Sequence, residues 1–197
     1  LTFFLKKIME QSLKLKTIFL DRDGVINRDR ADYVKSASEF DWIPGSLDAL
    51  KLLTLNGFRI VVITNQSVIN RNILSEAELR EIHEKMATAA VAHGGKIEAA
   101  YYCPHLPEDG CSCRKPEPGL IYRAQAEHGL DLSEACMIGD SFKDIQCARR
   151  AGCGAAILVR TGHGVEAERL CQEGGMVPDY VADDLLAAVK WLIGESS

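Results

Sequence analysis

Six short, nearly unbroken apolar runs recur along the chain, at Thr17–Leu20, Arg59–Ile63, Glu98–Cys103, Ala135–Ile138, Ala155–Val159 and Asp179–Val181. A strand with one wet face alternates apolar and polar residues. Runs without alternation predict strands of a parallel sheet covered on both faces. Between them the period becomes helical. Pro44-Gly-Ser-Leu-Asp48 opens a helix carrying Leu47, Leu50 and Leu53, with Gly57 at its C-terminal end. Ser75-Glu-Ala-Glu78 has the capping-box pattern ahead of Leu79, Ile82 and Met86, and Gly94-Gly95 follows. Further helices are expected after Pro118 and after Asp140. The alternation predicts one α/β domain over residues 15–197: a doubly wound, mostly parallel, Rossmann-like sheet with helices on both faces. One helix between Asp23 and Thr64 leaves no room for a large cap domain.

Composition narrows the function. Of 197 residues, 47% are hydrophobic and 26% charged, which fits a globular protein. The net charge of −5 argues against general binding to nucleic acid or anionic membranes. No apolar run is long enough to cross a bilayer. Leu1-Thr-Phe-Phe-Leu5 is interrupted by Lys6 and Lys7 and lacks the features of a signal peptide, so residues 1–14 are expected to form a helix or loose arm. An odd count of seven cysteines fits a reducing, cytoplasmic setting better than a disulfide framework.

Open α/β sheets bind ligands beyond the carboxyl ends of their strands. There the sequence places Asp21-Arg-Asp23-Gly24, Thr64-Asn-Gln-Ser67 and Gly139-Asp140-Ser141, with Asp144 four residues after Asp140. Residues i and i+2 of an extended chain point the same way, so Asp21 and Asp23 can face one reacting centre. Adding Asp140 makes an oxygen-rich site suited to Mg²⁺. Asp21 then fits a nucleophile forming an aspartyl phosphate, and Asp23 fits an acid/base. Thr64 and Lys115 suit the phosphoryl oxygens.

Cys103-Pro-His105 and Cys111-Ser-Cys113 supply three thiols and an imidazole, a complete set for a closed, structural Zn²⁺ site in a loop over residues 103–113. That loop runs directly into Arg114 and Lys115. Cys136, Cys147, Cys153 and Cys171 read as small core residues, and Trp42 and Trp191 as packing residues. His83, His93 and His128 read as surface residues without partner carboxylates, whereas His163 follows a strand end.

Leu20-Asp21-Arg-Asp23-Gly24-Val-Ile-Asn27, Thr64-Asn-Gln-Ser67, Arg114-Lys115-Pro116 and Gly139-Asp140-x-x-x-Asp144 resemble the motifs of the haloacid dehalogenase superfamily of phosphatases. More narrowly they resemble the D-glycero-D-manno-heptose 1,7-bisphosphate 7-phosphatase group, a relative of the histidinol-phosphate phosphatases. The resemblance covers roughly residues 15–193. It implies Asp21 as nucleophile, Asp23 as acid/base, and Thr64 and Lys115 on the phosphoryl group. It places Mg²⁺ on Asp21, the Asp23 carbonyl and Asp140, with zinc on the cysteine loop. Arg114 is similar to the family's substrate-recognition arginine, and Asn65, Gln66 and Ser67 to substrate contacts. Asp29, Arg30, Ala31 and Asp32, together with Arg71, lie near enough in sequence to touch the substrate. Where family members often carry Lys after the metal-binding Asp, this chain has Ser141. The expected partner is a small phosphorylated sugar, and the expected state a monomer.

Overall fold

The structure is a computed structural model describing residues 15–195, so the expected arm over residues 1–14 lies outside the described residues. Six parallel strands form one sheet: β1 (Thr17–Leu20), β2 (Arg59–Asn65), β3 (Ile97–Cys103), β4 (Ala135–Gly139), β5 (Ala155–Val159) and β6 (Tyr180–Ala182). Their order is β3-β2-β1-β4-β5-β6. The chain winds outward from β1 in one direction, then returns to β4 and winds the other way. That reversal opens a crevice at the carboxyl ends of β1 and β4, where such folds hold their ligands.

Between the strands lie α1 (Ser46–Leu55), α2 (Glu76–Ala92), α3 (Gly119–His128), α4 (Phe142–Ala151) and α5 (Gly164–Glu173), and α6 (Leu185–Ile193) follows β6. Because successive strand residues face opposite sides, each strand feeds two cores. On one face Ile18, Leu20, Ile60 and Val62 pack under Leu50 and Leu53 of α1, Leu79, Ile82 and Met86 of α2, and Leu185 and Val189 of α6. On the other, Phe19, Val61, Ile63 and Met137 meet Leu120 and Ile121 of α3, Ile145 and Ala148 of α4, and Cys171 of α5. Double coverage is the reason these strands do not alternate.

All six predicted strands are found and every pair is parallel; β1 and β5 keep their predicted ends, and the others shift by one or two residues. β2 continues through Thr64 and Asn65, because both pair with Tyr102 and Cys103 of β3. The Ser75 capping box forms: Ser75 Oγ accepts from the Glu78 N–H at 3.2 Å, and Glu78 Oε2 accepts from the Ser75 N–H at 2.8 Å. In α1 the buried apolar stripe is Ala49, Leu50 and Leu53, whereas Leu47 is half-buried. α5 and α6 are not among the helices predicted from the sequence. Trp42 meets Phe40 edge-on at 5.0 Å and Trp191 stacks on Tyr180 at 4.2 Å, so both are packing residues. Among the described residues no helix is long and apolar enough to cross a membrane.

Candidate active site

Asp21 follows the last residue of β1, and its backbone N–H still bonds to Ile138 of β4 at 3.0 Å. The pairing fixes its carboxylate beside the neighbouring strand end. Oδ1 accepts from the Arg22 backbone N–H at 2.7 Å, and Oδ2 lies 2.8 Å from Lys115 Nζ. Lys115 is buried and reaches Asp144 Oδ1 at 2.6 Å on its other side. Asp144 in turn caps α4, accepting from the Ser141 hydroxyl at 2.6 Å and the Ser141 N–H at 3.0 Å. Lys115 is therefore held between two carboxylates rather than pointing freely into solvent. Burial would lower its pKa, but the charges of Asp144 and Asp21 raise it overall, so it stays an ammonium.

Asp140, at the end of β4, accepts from the His163 backbone N–H at 2.8 Å. Carboxylate oxygens of Asp21, Asp140 and Asp144 lie within 4.8 Å of one another. Burial, opposed by Lys115 and reinforced by Asp144, pushes Asp21 up to about 7. Burial, Asp21 and Asp144 push Asp140 up to about 8. Three gathered carboxylates face one ammonium. A divalent cation with a preference for oxygen would offset that imbalance, and Mg²⁺ fits this all-carboxylate donor set. Close packing shapes the cradle, since an added Cβ would come within 2.1 Å of Asp140 Oδ2 at Gly24 and 2.0 Å at Gly162.

Asp23 has the opposite environment. Burial alone would raise its pKa, yet the Arg22 charge and donors from Asn27, Arg22 and Gln66 hold it below the usual carboxylate range. Arg22 donates from Nη2 to both carboxylate oxygens, at 2.8 and 2.9 Å, while Asn27 Nδ2 donates to Oδ1 at 2.9 Å. Gln66 Nε2 donates to Asp23 Oδ2 at 2.7 Å and to Thr64 Oγ1 at 2.9 Å. Two carboxylates two residues apart are thus pushed in different directions in the metal-free protein, Asp21 upward by burial and Asp23 downward by the Arg22 charge and its donors.

These groups line a cavity of about 400 Å³ that also takes in Asp29, Tyr33, Val34, Asn65, Ser67, Arg71, Arg114, Lys143 and His163. The expected substrate contacts divide. Asp29, Ser67 and Arg114 line the cavity, and Ala31 lines an adjoining cleft. Arg30 and Asp32 line neither; they pair with each other at 3.1 Å on the exposed surface. Asn65 and Gln66 line it, but their amides also hold protein groups. Asn65 exchanges bonds with the Lys115 backbone at 3.1 and 3.2 Å, and Gln66 bridges Asp23 and Thr64.

Arg22, Tyr33, Val34 and Lys143 line the cavity although no sequence motif assigns them a role. Lys143 sits in the first turn of α4, three residues after Asp140, a spacing that could have flagged it. Arg22 lies between the two aspartates yet is only 1% exposed; an Arg at an apolar strand end was its one local signal. The histidines need correcting too. His83 is half-buried beside Arg22, and desolvation together with the Arg22 charge holds its pKa down to about 4. His93 pairs with Asp48 at 2.8 Å and His128 with Glu98 at 3.2 Å, so both have partner carboxylates. His163 pairs with Asp29 at 2.9 Å, linking the loops after β1 and β5.

Beside the cavity, Cys103, His105, Cys111 and Cys113 converge. Separations of 3.2 Å (His105 Nδ1 to Cys113 Sγ), 3.2 Å (Cys113 to Cys103), 3.5 Å (Cys113 to Cys111) and 3.6 Å (Cys103 to Cys111) lie near the ~3.7 Å edge of a tetrahedron with Zn–S bonds of ~2.3 Å. This soft, four-ligand set fits zinc. Arg114 Nη1 donates to the His105 carbonyl at 3.0 Å, tying the loop to the cavity wall.

A HAD-hydrolase-like family model matches residues 112–188. A Bordetella bronchiseptica D-glycero-beta-D-manno-heptose-1,7-bisphosphate 7-phosphatase is 42% identical over 182 residues, covering 92% of this chain and 100% of the relative. The chain belongs to this family of haloacid dehalogenase-type phosphatases. A second 7-phosphatase of the family, from Neisseria meningitidis serogroup A, is 41% identical over 187 residues, covering 93% of this chain and 97% of its own. The crystal structure of the B. bronchiseptica D,D-heptose 1,7-bisphosphate phosphatase, complexed with magnesium and phosphate, matches with a TM-score of 0.85. The match is 41% identical and covers 92% of this chain and 100% of that one. Family members are phosphoric monoester hydrolases, and the six-stranded parallel sheet described above is the fold they share.

Proposed function

We propose that this chain removes the 7-phosphate of D-glycero-D-manno-heptose 1,7-bisphosphate through an aspartyl-phosphate intermediate. The observation that carries the chemistry is the grouping of the Asp21, Asp140 and Asp144 carboxylates, with Lys115 bridging Asp21 and Asp144 and Asp23 held by its own donors. The substrate assignment is supported by relatives about 40% identical over nearly the whole chain that bear that activity in their names.

In this reading Lys115 and Thr64 bind the transferring phosphoryl oxygens, and the carboxylate of Asp21 attacks phosphorus in line with the leaving sugar oxygen. Asp23 gives that oxygen a proton as the P–O bond breaks. It then takes a proton from the water that attacks the aspartyl phosphate, releasing phosphate and restoring Asp21. Asp21, the Asp23 backbone carbonyl and Asp140 would hold Mg²⁺, which when bound neutralises charge on the nucleophile and the phosphoryl oxygens. Arg114, Arg71 and Lys143 line the remaining cavity wall as cations suited to an anionic sugar, with Asp29 and Ser67 available to its hydroxyls.

We also infer that Cys103, His105, Cys111 and Cys113 hold a structural zinc whose loop positions Arg114 and Lys115. The free thiols suit a reducing cytoplasm, and one chain supplies every group the reaction needs, as a monomer would.

The test is kcat/KM for phosphate release from heptose 1,7-bisphosphate, fructose 1,6-bisphosphate and histidinol phosphate. The expected order puts the heptose ester first by about tenfold or more. Asp21→Asn should abolish turnover with the melting temperature retained. Preference for histidinol phosphate would move the chain to the neighbouring phosphatase group. Absence of magnesium-dependent release from any ester would leave a phosphoryl-binding module.

A further inference from the structure

Arg22 is the largest fully buried side chain among the described residues. A buried guanidinium persists only when its donors are matched. Nε lies 3.2 Å and Nη2 2.8 Å from Asp23 Oδ1, and Nη1 lies 3.3 Å from His83 Nε2. Arginine has donors and no acceptor, so His83 Nε2 must accept, and the imidazole proton sits on Nδ1. A protonated ring could not face the guanidinium in this way.

His83 reaches this point from α2, whose Leu79, Ile82 and Met86 anchor the helix to the sheet. Its ring meets Tyr102 of β3 edge-on at 6.2 Å, which limits its rotation. A rigid path therefore runs from Tyr102 through His83 and Arg22 to the Asp23 carboxylate. None of these side-chain contacts involves Lys115 or the other three carboxylates.

We propose that His83 is a positioning residue of the phosphatase, fixing through Arg22 the direction in which Asp23 presents its carboxyl group to the leaving oxygen. The inference rests on the acid/base reading of Asp23. Without the imidazole acceptor, Nη1 is left buried and unmatched. The fork then rotates in search of another acceptor and carries Asp23 with it. Small misplacements of an acid are costly to a reaction that needs a proton at one atom.

The leaving group separates this role from a general loss of structure. A sugar alkoxide needs the proton as the P–O bond breaks, whereas p-nitrophenolate departs without it. For both esters kcat/KM reports the steps up to phosphoryl transfer. His83→Leu should lose about tenfold on the heptose phosphate and stay within about twofold on p-nitrophenyl phosphate. His83→Gln, whose amide oxygen can accept from Arg22, should recover most of the loss. Arg22→Lys, which keeps the charge but lacks the fork, should show the same split and supplies the test if the leucine variant does not fold. Equal losses on both esters, or no loss on either, overturn the proposal. Asp23→Asn is the control: if it affects both esters alike, the acid assignment itself falls and this inference falls with it.

Discussion

Asp140 is enclosed by residues that have no side chain to spare. Gly162 has φ of 57°, in the left-handed region, and a Cβ there would lie 2.0 Å from Asp140 Oδ2 and 2.8 Å from the Gly24 Cα. Gly162→Ala must therefore strain the backbone and turn the carboxylate away from its partners. The strain of about 1–3 kcal/mol should lower Tm by roughly 2–10 °C, while the Mg²⁺ concentration for half-maximal turnover rises about tenfold. A magnesium titration and a melting curve check this, and an alanine variant with native values for both would refute it. At this scale the sequence was informative where spacing alone set direction, as for Asp21 and Asp23. It was silent where direction depends on distant neighbours. Asn65 and Gln66 resemble substrate contacts, yet their amides bond to Lys115, Asp23 and Thr64, residues supplied by other loops or placed by the pairing of β2 with β3. Arg22 depends on a histidine 61 residues away, beyond any local pattern.

The element that most affects the site without lining its floor is the cysteine loop. It leaves β3 at Cys103, closes at Cys113, and delivers Arg114 and Lys115 as the next two residues. Its attachment to the site is double, through Arg114 to the His105 carbonyl and through the Lys115 backbone to Asn65. Removing zinc with phenanthroline, which leaves magnesium in place, should lower Tm by about 5 °C or more and reduce kcat in parallel. Restoring Zn²⁺ should recover both, and an unchanged melting curve after verified zinc loss would end the structural assignment. This loop was legible because four soft ligands in eleven positions have few other uses. The helices were legible only where punctuation marked them. The capping box of α2 and Pro118 before α3 did so, whereas α5 starts at Gly164 without a side-chain cap. The tail of β2 is not legible because Thr64-Asn65 is polar, and its strand character comes from its pairing with Tyr102 and Cys103 of β3.

Across the whole molecule, the buried acids link stability to pH and to the metal. Asp21 and Asp140 are raised to about 7 and about 8, so the metal-free folded protein keeps protons that its unfolded chain gives up near pH 4. Between those limits the folded state binds more protons, and stability falls as pH rises through 7 to 8. Magnesium competes with those protons and binds the folded state alone. Its stabilising effect should therefore be small near pH ~6 and grow towards pH ~8.5. Melting curves of desalted protein with and without millimolar MgCl₂ at the two pH values check the sign. A magnesium shift that shrinks with rising pH would contradict it. The doubly covered parallel sheet was the most legible feature of all, because continuous apolar runs such as Ala135–Ile138 and Ala155–Val159 have little other use than a strand buried on both sides.

The outward winding of the sheet from β1 has a practical corollary. Every acid of the site hangs from the carboxyl border, while the opposite border carries the turn at Gly94-Gly95 and the connection at 129–134. Fluorescent labels or surface tethers attached along that far margin would sit a full strand length from the reacting phosphorus. The working end of the molecule is thereby left open for a bulky sugar bearing two phosphates to enter.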